Sequence, residues 1–347
     1  MSACGSGLPL ISIKPAAFRR GRMGATSTRT ARVSAVAREE TRTSPFDALV
    51  AAAAALEPLP TAVVHPCDAL SLQGTLEAAR LGLIDPVLVG PQKKIRAAAD
   101  KAGVSIDGCD IEDVAHSHAA AARAVGMVRA GTVSALLKGA LHTDELMAEV
   151  VDPAHGLRTE RRVSHVFALD VPMYPKLLFL TDGAINITPD LLDKRDIVQN
   201  AIDLAHAVGI AMPQVAILSA VETVNPRIAS TVEAAALCKM RDRGQITGAL
   251  LEGPLAFDNA VSVAAAATKG IDSPVAGHAD ILVVPDLMTG NMLAKQMIYL
   301  AGAASAGIVL GARVPIALTS RADAVRARVV SCALARLFAE PARPAAP

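Results

Sequence analysis

Short apolar runs alternate with helical stretches along most of this 347-residue chain, from about residue 45 onward. The runs are four to seven residues long, rich in Val, Ile and Leu, and bounded by Gly, Pro, Asp or Ser, as is typical of buried strands. Strand after helix over so long a stretch predicts an α/β protein with a largely parallel sheet. Strands are predicted at 61–65, 86–90, 134–138, 163–169, 177–181, 214–219, 248–251, 280–284, 306–310 and 315–319.

Two of these runs, 163–169 and 177–181, depart from the pattern. Only the segment from Asp170 to Lys176, with two prolines, separates them. A crossover helix does not fit in so short a connection, so we expect an antiparallel pair. The change in sheet character suggests that a second domain begins near Val163.

Two helical stretches carry a clear apolar stripe. Residues 196–208 repeat apolar side chains at a spacing of 3.6, and so do residues 322–338. In the second stretch the arginines are expected mostly off the stripe, at positions 321, 326, 328 and 336.

Composition narrows the range of functions. Aromatic residues make up only 2% of the chain and Trp is absent, so a protein that stacks nucleic-acid bases is not expected. No apolar stretch is long enough to predict a transmembrane helix. The five cysteines are scattered without metal-binding or redox spacing, which favours a reducing compartment and a cytoplasmic protein.

The first 38 residues form a basic leader with seven Lys or Arg residues and no acidic residue. Such a segment is an organellar transit peptide, a disordered tail, or sequence upstream of a true start at Met23. Residues 1–44 are therefore set apart from the fold, and an organellar location is expected if they are a transit peptide.

Several common motifs are missing. The chain has no G-x-G-x-x-G after a strand, no G-x-x-x-x-G-K-[ST] and no G-x-S-x-G, which disfavours nicotinamide binding, a nucleotide phosphate loop and a serine hydrolase. Its eight histidines do not fall at metal-ligand spacing, so no metal site is expected.

The segment from Ala279 to Gln296, ADILVVPDLMTGNMLAKQ, carries the most information. A strand leads into Asp286, a short loop with Gly290 and Asn291 is expected next, and a helix carrying Lys295 follows. Ligands of α/β proteins bind beyond the carboxyl ends of strands, where a glycine and a helix N-terminus favour a phosphate. The same residues could equally be a helix cap and a solvated lysine.

The pattern P-D-L-x-x-G-N-x-x-x-K resembles the signature of the phosphate acetyl/butyryltransferase family. Other segments are similar to that family in the expected order, and the resemblance spans about residues 45–338. They are ALLKGALHTDELM (135–147), ILSAVETVNP (217–226), EGPLAFDNAVS (252–262) and VPIALTSRADAVRAR (314–328).

The resemblance implies two α/β domains facing each other across a cleft, in the architecture of isocitrate and isopropylmalate dehydrogenases, and usually a homodimer. Domain I would cover 45–163 plus 309–347, and domain II would cover 164–308. It also implies reversible transfer of a short acyl group between coenzyme A and phosphate, by direct attack of the thiolate in a ternary complex. Coenzyme A is then a substrate, and no cofactor or metal is implied.

The resemblance assigns roles at Ser320 and Arg321, expected where a strand ends and a helix begins. Arg321 would bind phosphate and Ser320 would hydrogen-bond the thiol or the carbonyl, although Ser320 could also be only a helix N-cap. Better-described members have an Asp seven residues after the Ser, where this chain has Ala327. The nearest carboxylate, Asp323, is either the proton acceptor or an acid that bonds the Ser320 N–H.

Further substrate-binding residues are implied at strand ends and beside the second domain. Thr143 could touch phosphate or cap a helix starting at Asp144, and Asp286 or Asp258 are alternative bases. The predicted set for phosphate and CoA is Lys138, Gly139, Thr143, Arg161, Asp258, Asp286, Gly290, Asn291 and Lys295, with Arg162 as an alternative to Arg161.

The function implied by the resemblance is that of a phosphate acetyltransferase, and three other functions compete with it. Phosphate butyryltransferase differs only in the pocket for the acyl chain. A metal-dependent oxidative decarboxylase of the same fold needs converging aspartates and an arginine cluster, which the sequence does not show. A non-catalytic regulatory protein of this fold is favoured only by Ala327.

Overall fold

A computed structural model gives the fold and describes residues 44–320 and 323–340. The described residues contain eleven strands that form a single sheet. The strands are β1 (Leu59–Val64), β2 (Ile84–Gly90), β3 (Asp110–Asp113), β4 (Ala135–Lys138), β5 (Ser164–Asp170), β6 (Leu178–Thr181), β7 (Gln214–Leu218), β8 (Leu250–Leu255), β9 (Ile281–Val283), β10 (Ala304–Leu310) and β11 (Ile316–Ala317). Their order across the sheet is β3-β2-β1-β4-β11-β10-β5-β6-β9-β7-β8.

Helices connect most of these strands. The described residues form α1 (Pro45–Ala54), α2 (Ala69–Arg80), α3 (Gln92–Ala102), α4 (Ser117–Arg129), α5 (Thr143–Val150), α6 (Leu191–Ala207), α7 (Ala229–Asp242), α8 (Phe257–Val261), α9 (Val263–Thr268), α10 (Leu287–Tyr299) and α11 (Val325–Ala339). None of the helices in this part of the chain is long and apolar enough to cross a bilayer.

The sheet is parallel in its two outer parts and antiparallel at its centre. Strands β3, β2, β1, β4 and β11 run in one direction, and β6, β9, β7 and β8 run in the other. Between them, β10 is antiparallel to both β11 and β5, and β5 is antiparallel to β6. The predicted α/β class and the predicted antiparallel pair are confirmed.

The strands assigned to the two predicted domains lie at opposite ends of this continuous sheet. Strands β1 to β4 and β11 belong to predicted domain I, and β5 to β9 belong to predicted domain II. The division into domains stays a prediction.

Side chains alternate between the two faces of the sheet, as the pleat requires. On one face Val63, Leu137 and Phe179 pack with side chains from α1, α2, α6, α7 and α11. On the other face Val64 and Leu136 pack under α4 and α5, and Leu180 packs near α10. Helices on both faces explain why the strands read as nearly continuous apolar runs.

Three expectations from the sequence are corrected. Strand β3 was not predicted, because its sequence Asp-Ile-Glu-Asp is acidic and half exposed at the sheet edge. Strand β11 ends at Ala317 and helix α11 begins at Val325, so the strand end does not pass directly into the helix as expected. Arg328 and Arg336 of α11 were expected off the buried stripe but are buried.

Candidate active site

The carboxyl ends of β1, β4 and β11 lie side by side. Val64 of β1 is paired with Lys138 of β4, and Leu137 of β4 is paired with Ala317 of β11. The chain then leads from these ends towards the N-termini of α2, α5 and α11. Free backbone N–H groups and the helix dipoles favour an anion at such an edge.

Lys138 and Gly139 lie at the end of β4, where the sequence placed them. Lys138 is 3% exposed, and its Nζ donates to the Gly139 carbonyl oxygen at 3.4 Å. A Cβ on Gly139 would come within 2.5 Å of the Val64 carbonyl oxygen and 2.6 Å of that of His65. Gly139 therefore lets the end of β4 approach the end of β1, with a buried ammonium group beside it.

Ser320 and Asp323 face each other in the connection after β11. The Ser320 N–H donates to Asp323 Oδ2 at 2.7 Å, and the Asp323 N–H donates to the Ser320 carbonyl at 3.1 Å. This is the bond from an acid to the Ser320 N–H that the sequence suggested. Ser320 is nevertheless not the N-cap of α11, because Ala324 has that position.

Burial raises the pKa of Asp323 above its ordinary value, and the positive charges of Arg328 and Lys138 oppose that rise. The three side chains therefore share one electrostatic environment. Ala327 is buried in α11, so no carboxylate is present at the position where better-described family members have one. Arg321, predicted to bind phosphate, lies outside the described residues.

Arg328 was not predicted as a site residue, yet it contacts both strand ends. It is 1% exposed, and its guanidinium donates to Thr319 Oγ1 at 2.9 Å and to the Ser320 carbonyl at 3.1 Å. A longer contact of 3.5 Å reaches the Lys138 carbonyl. The sequence held one signal for the burial of Arg328. Position 328 is three residues after Val325 and next to Val329, and both valines lie on the predicted apolar stripe.

His65, directly after β1, was also missed. It has a positive φ of 55°, a conformation that residues other than glycine rarely adopt. Its Nδ1 is buried and has no hydrogen-bond partner within the described part of the chain. Burial, together with the nearby Lys94, lowers the pKa of His65, while Glu145 and Asp68 oppose that effect.

A groove of about 830 Å³ runs between α5 and residues 158–163, and both Thr143 and Arg161 line it. Thr143 is the first residue of α5, and the N-cap is His142, whose N–H donates to Glu145 Oε1 at 3.3 Å. The expectation that Thr143 caps the helix is therefore corrected. Arg161 Nη1 pairs with Asp203 Oδ2 at 2.5 Å.

The predicted residues of the P-D-L-x-x-G-N segment lie at the start of α10, on the side of the sheet where β9 ends. Asp286 is the N-cap and accepts from the Thr289 N–H at 2.8 Å. Gly290 and Asn291 are inside the helix, so the loop expected there is wrong. Asn291 Nδ2 donates to the Gly183 carbonyl at 3.1 Å, and Lys295 is exposed.

Asp258 lies apart from both groups, exposed in the short helix α8. The hydrogen bond to Glu222, at 2.9 Å, raises the pKa of Lys269, and the charge of Asp258 adds to that effect. The predicted residues therefore follow the carboxyl ends of strands in both halves of the sheet, β4 and β11 in one half and β9 and β8 in the other. We call Lys138, Gly139, Ser320, Asp323 and Arg328 the strand-end group.

Solved structures share this arrangement of the sheet. The branched-chain phosphotransacylase from Enterococcus faecalis V583 matches with a TM-score of 0.71 and 30% identity, over 81% of this chain and 99% of that one. A 4-hydroxythreonine-4-phosphate dehydrogenase from Klebsiella pneumoniae matches with a TM-score of 0.51 and 15% identity, over 82% and 100%, and so shares the fold alone. The dehydrogenase-like architecture implied by the sequence is confirmed.

Fold and sequence together define the class: this chain is an acyltransferase built on a dehydrogenase-like α/β fold. The model of the family described as phosphate acetyl/butaryl transferase matches residues 116–336, and the chain belongs to that family. It is 62% identical to a phosphate acetyltransferase from Rhizobium meliloti, over 85% of this chain and 94% of the relative. It is 40% identical to a phosphate butyryltransferase from Clostridium acetobutylicum, over 80% and 92%.

Proposed function

We propose that this protein is a phosphate acetyltransferase that interconverts acetyl-CoA plus phosphate with acetyl phosphate plus CoA. The observation that carries the proposal is the strand-end group, which places a buried ammonium, a hydroxyl and a carboxylate at one edge of the sheet. These groups meet the needs of acyl transfer between a thiol and a phosphate: an anion must be held, a developing oxyanion stabilised and a proton removed.

The proposed reaction proceeds in a ternary complex without an acyl-enzyme. The CoA sulfur attacks the carbonyl carbon of acetyl phosphate, the C–S bond forms, and the bond from carbon to the phosphate oxygen breaks. The thiol proton passes to the base and from there to the departing phosphate. CoA enters and leaves as a substrate, and this chemistry calls for no metal or further cofactor.

Four members of the strand-end group have a proposed role in the reaction. Lys138, with Arg321, holds the phosphate, and Gly139 keeps the backbone close to it. Ser320 hydrogen-bonds the carbonyl oxygen or the thiol. Asp323 accepts the thiol proton, because its raised pKa makes it a stronger base than an ordinary aspartate.

The other predicted residues enter the proposal as contacts to CoA or phosphate, supported by the family resemblance. Thr143 and Arg161 line a groove large enough to take part of a CoA molecule. Asp286, Gly290 and Asn291 already have structural contacts in α10, so Lys295 is the member of that segment whose charge is most available. Asp258 is the last of these proposed contacts to CoA or phosphate.

We further propose a cytoplasmic homodimer. Cys67, Cys109, Cys238 and Cys332 are unpaired thiols, which agrees with a reducing compartment. Helix α10 exposes Met288, Met292 and Tyr299 at positions that share one helix face, and contiguous exposed apolar side chains of this kind favour an interface.

Phosphorolysis of acyl-CoA tests the function. The full chain is incubated with phosphate and acetyl-, propionyl- or butyryl-CoA, and free thiol is followed over time. We expect phosphate-dependent release with the highest kcat/KM for acetyl-CoA. A preference for butyryl-CoA would show a phosphate butyryltransferase instead, and no thiol from any substrate would support a non-catalytic protein.

A further inference from the structure

We infer that Arg328 is a positioning residue that holds Thr319 and Ser320 against the end of β4, and that Gly74 provides the space it needs. The inference rests on the proposed function, because it explains how the strand-end group keeps its geometry. Arg328 acts through its neighbours, without contact to the substrate.

The first argument is the set of hydrogen bonds. One guanidinium joins the connection after β11, through Thr319 Oγ1 at 2.9 Å and the Ser320 carbonyl at 3.1 Å. The Nη1 atom that donates to Thr319 also lies 3.5 Å from the carbonyl oxygen of Lys138, on the neighbouring strand. Because the guanidinium is planar and rigid, these contacts fix the two strand ends relative to each other.

The second argument is the space around the side chain. A Cβ on Gly74 of α2 would lie 2.6 Å from Arg328 Cδ and 2.8 Å from its Cβ. A glycine inside a helix is unfavourable compared with alanine, so this one has a packing reason. Only glycine at position 74 lets the stem of Arg328 pass α2 and reach the strand ends.

The third argument is charge. Burial lowers the pKa of Arg328, and Asp68 at the start of α2, Asp323 and Cys332 of α11 oppose that effect. Those that act on Asp323 are Arg328 and Lys138. A buried guanidinium costs desolvation, and Arg328 Nε has no hydrogen-bond partner within residues 44–320 and 323–340. The contacts of Arg328 at the strand ends account for the presence of a buried arginine at this position.

Steady-state kinetics of Arg328→Met and Arg328→Lys test the inference. We expect Arg328→Met to lower kcat on the order of 100-fold, the loss that a small misplacement of reacting groups can cause. Without the positive charge beside Asp323, the acidic limb of the pH–rate profile should also move to higher pH. Arg328→Lys keeps the charge and should restore the position of that limb and part of kcat.

Arg336→Met is the matched control. Arg336 is also buried in α11, but its Nε donates to the Glu57 carbonyl at 2.7 Å and its Nη2 pairs with Glu340, so it does not belong to the strand-end group. Its substitution should lower stability while leaving kcat and the pH profile unchanged. Equal losses of kcat in the two Met variants, at equal loss of stability, would overturn the inference.

Gly74→Ala gives an independent test if Arg328→Met does not fold. The added methyl group displaces the Arg328 stem, so kcat should fall while CD spectra keep the wild-type fold. In a double-variant cycle with Arg328→Lys the two effects should not add, because both act on one contact. Wild-type kcat in Gly74→Ala overturns the inference, whereas an inactive wild-type chain would instead overturn the proposed function.

Discussion

Burial favours the neutral form of the Asp323 carboxyl and of the His165 imidazole. Removing water raises the pKa of the Asp323 carboxyl and lowers the pKa of the His165 imidazole to about 3. The consequences differ, because Asp323 lies in the strand-end group whereas His165 is buried in strand β5 of the sheet.

Asp323→Asn should separate activity from stability. If Asp323 accepts the thiol proton, the amide should lower kcat by about 10²–10⁴-fold, the usual contribution of a general base. Stability should not fall at pH 7. The folded-state pKa is raised, so the associated stability is present below the unfolded pKa of about 3.9 and is lost as pH rises through the folded pKa. At neutral pH the ionised carboxylate is therefore unfavourable, and an amide removes that effect.

Thiol-release kinetics measure kcat, and urea unfolding measures stability. Asp100→Asn, an exposed change on α3, is the control and should affect neither. Wild-type kcat in Asp323→Asn would show that another group accepts the proton.

His165 should make stability depend on pH below neutrality. The unfolded chain binds a proton at this histidine near pH 6.5, whereas the folded chain does so only near pH 3. A depressed histidine pKa means that stability is full above pH 6.5 and is lost as pH falls, by about 1.4 kcal/mol per pH unit.

Urea unfolding of wild type and His165→Gln between pH 7.5 and 5 checks this. The Gln amide can replace the imidazole N–H that bonds the Leu318 carbonyl, and it does not titrate, so its curve should be flatter. His155→Gln, an exposed change, should retain the wild-type slope. Parallel curves for wild type and His165→Gln would contradict the prediction.

At the scale of elements, the start of α10 depends on one close approach. A Cβ on Gly290 would lie 2.8 Å from the Asp182 carbonyl oxygen and 2.9 Å from Gly183 Cα. Asn291 of the next position donates to the Gly183 carbonyl. The glycine of the P-D-L-x-x-G-N segment therefore brings a helix against the loop after β6.

Gly290→Ala should destabilise the protein by about 1–3 kcal/mol, the usual cost of overpacking. Gly126→Ala is the matched control, because Gly126 is also inside a helix, α4, but an added Cβ would meet nothing within 4 Å. There the change should stabilise by about 0.5–1 kcal/mol, since alanine is the better helix former. Thermal and urea unfolding would measure both, and effects of the same sign would contradict this account.

Elements with a strong pattern could be predicted from the sequence, and elements that depend on tertiary contacts could not. The apolar runs of β1, β4 and β5 predicted these strands to within about two residues, because burial on both faces leaves a clear signal. The acidic β3 carries no such signal. In the candidate site, Lys138 and Asp323 follow from strand ends and resemblance, whereas Arg328 depends on the space at Gly74, which lies 254 positions earlier in the chain.

At the scale of the whole molecule, the strand direction reverses at β10 and β5, and functional candidates follow strands on both sides of that reversal. The strand-end group follows β4 and β11, while α10 follows β9, which runs in the opposite direction. The exposed face of α10 carries apolar side chains that take no part in the strand-end group. Met292 is 66% exposed and Tyr299 75%, and both lie on one face of α10.

The homodimer proposal predicts that this face of α10 is buried between two copies of the chain. A two-fold interface places the same surface on both subunits, so one substitution introduces two unfavourable groups. Wild type should elute with twice the mass of a single chain in light scattering, and Met292→Glu should shift it towards the monomer. Met173→Glu, on a highly exposed side chain of the β5–β6 connection, is the control and should stay dimeric. A monomeric wild type at tens of micromolar, or equal dissociation of both variants, would contradict the assignment of α10 to the interface.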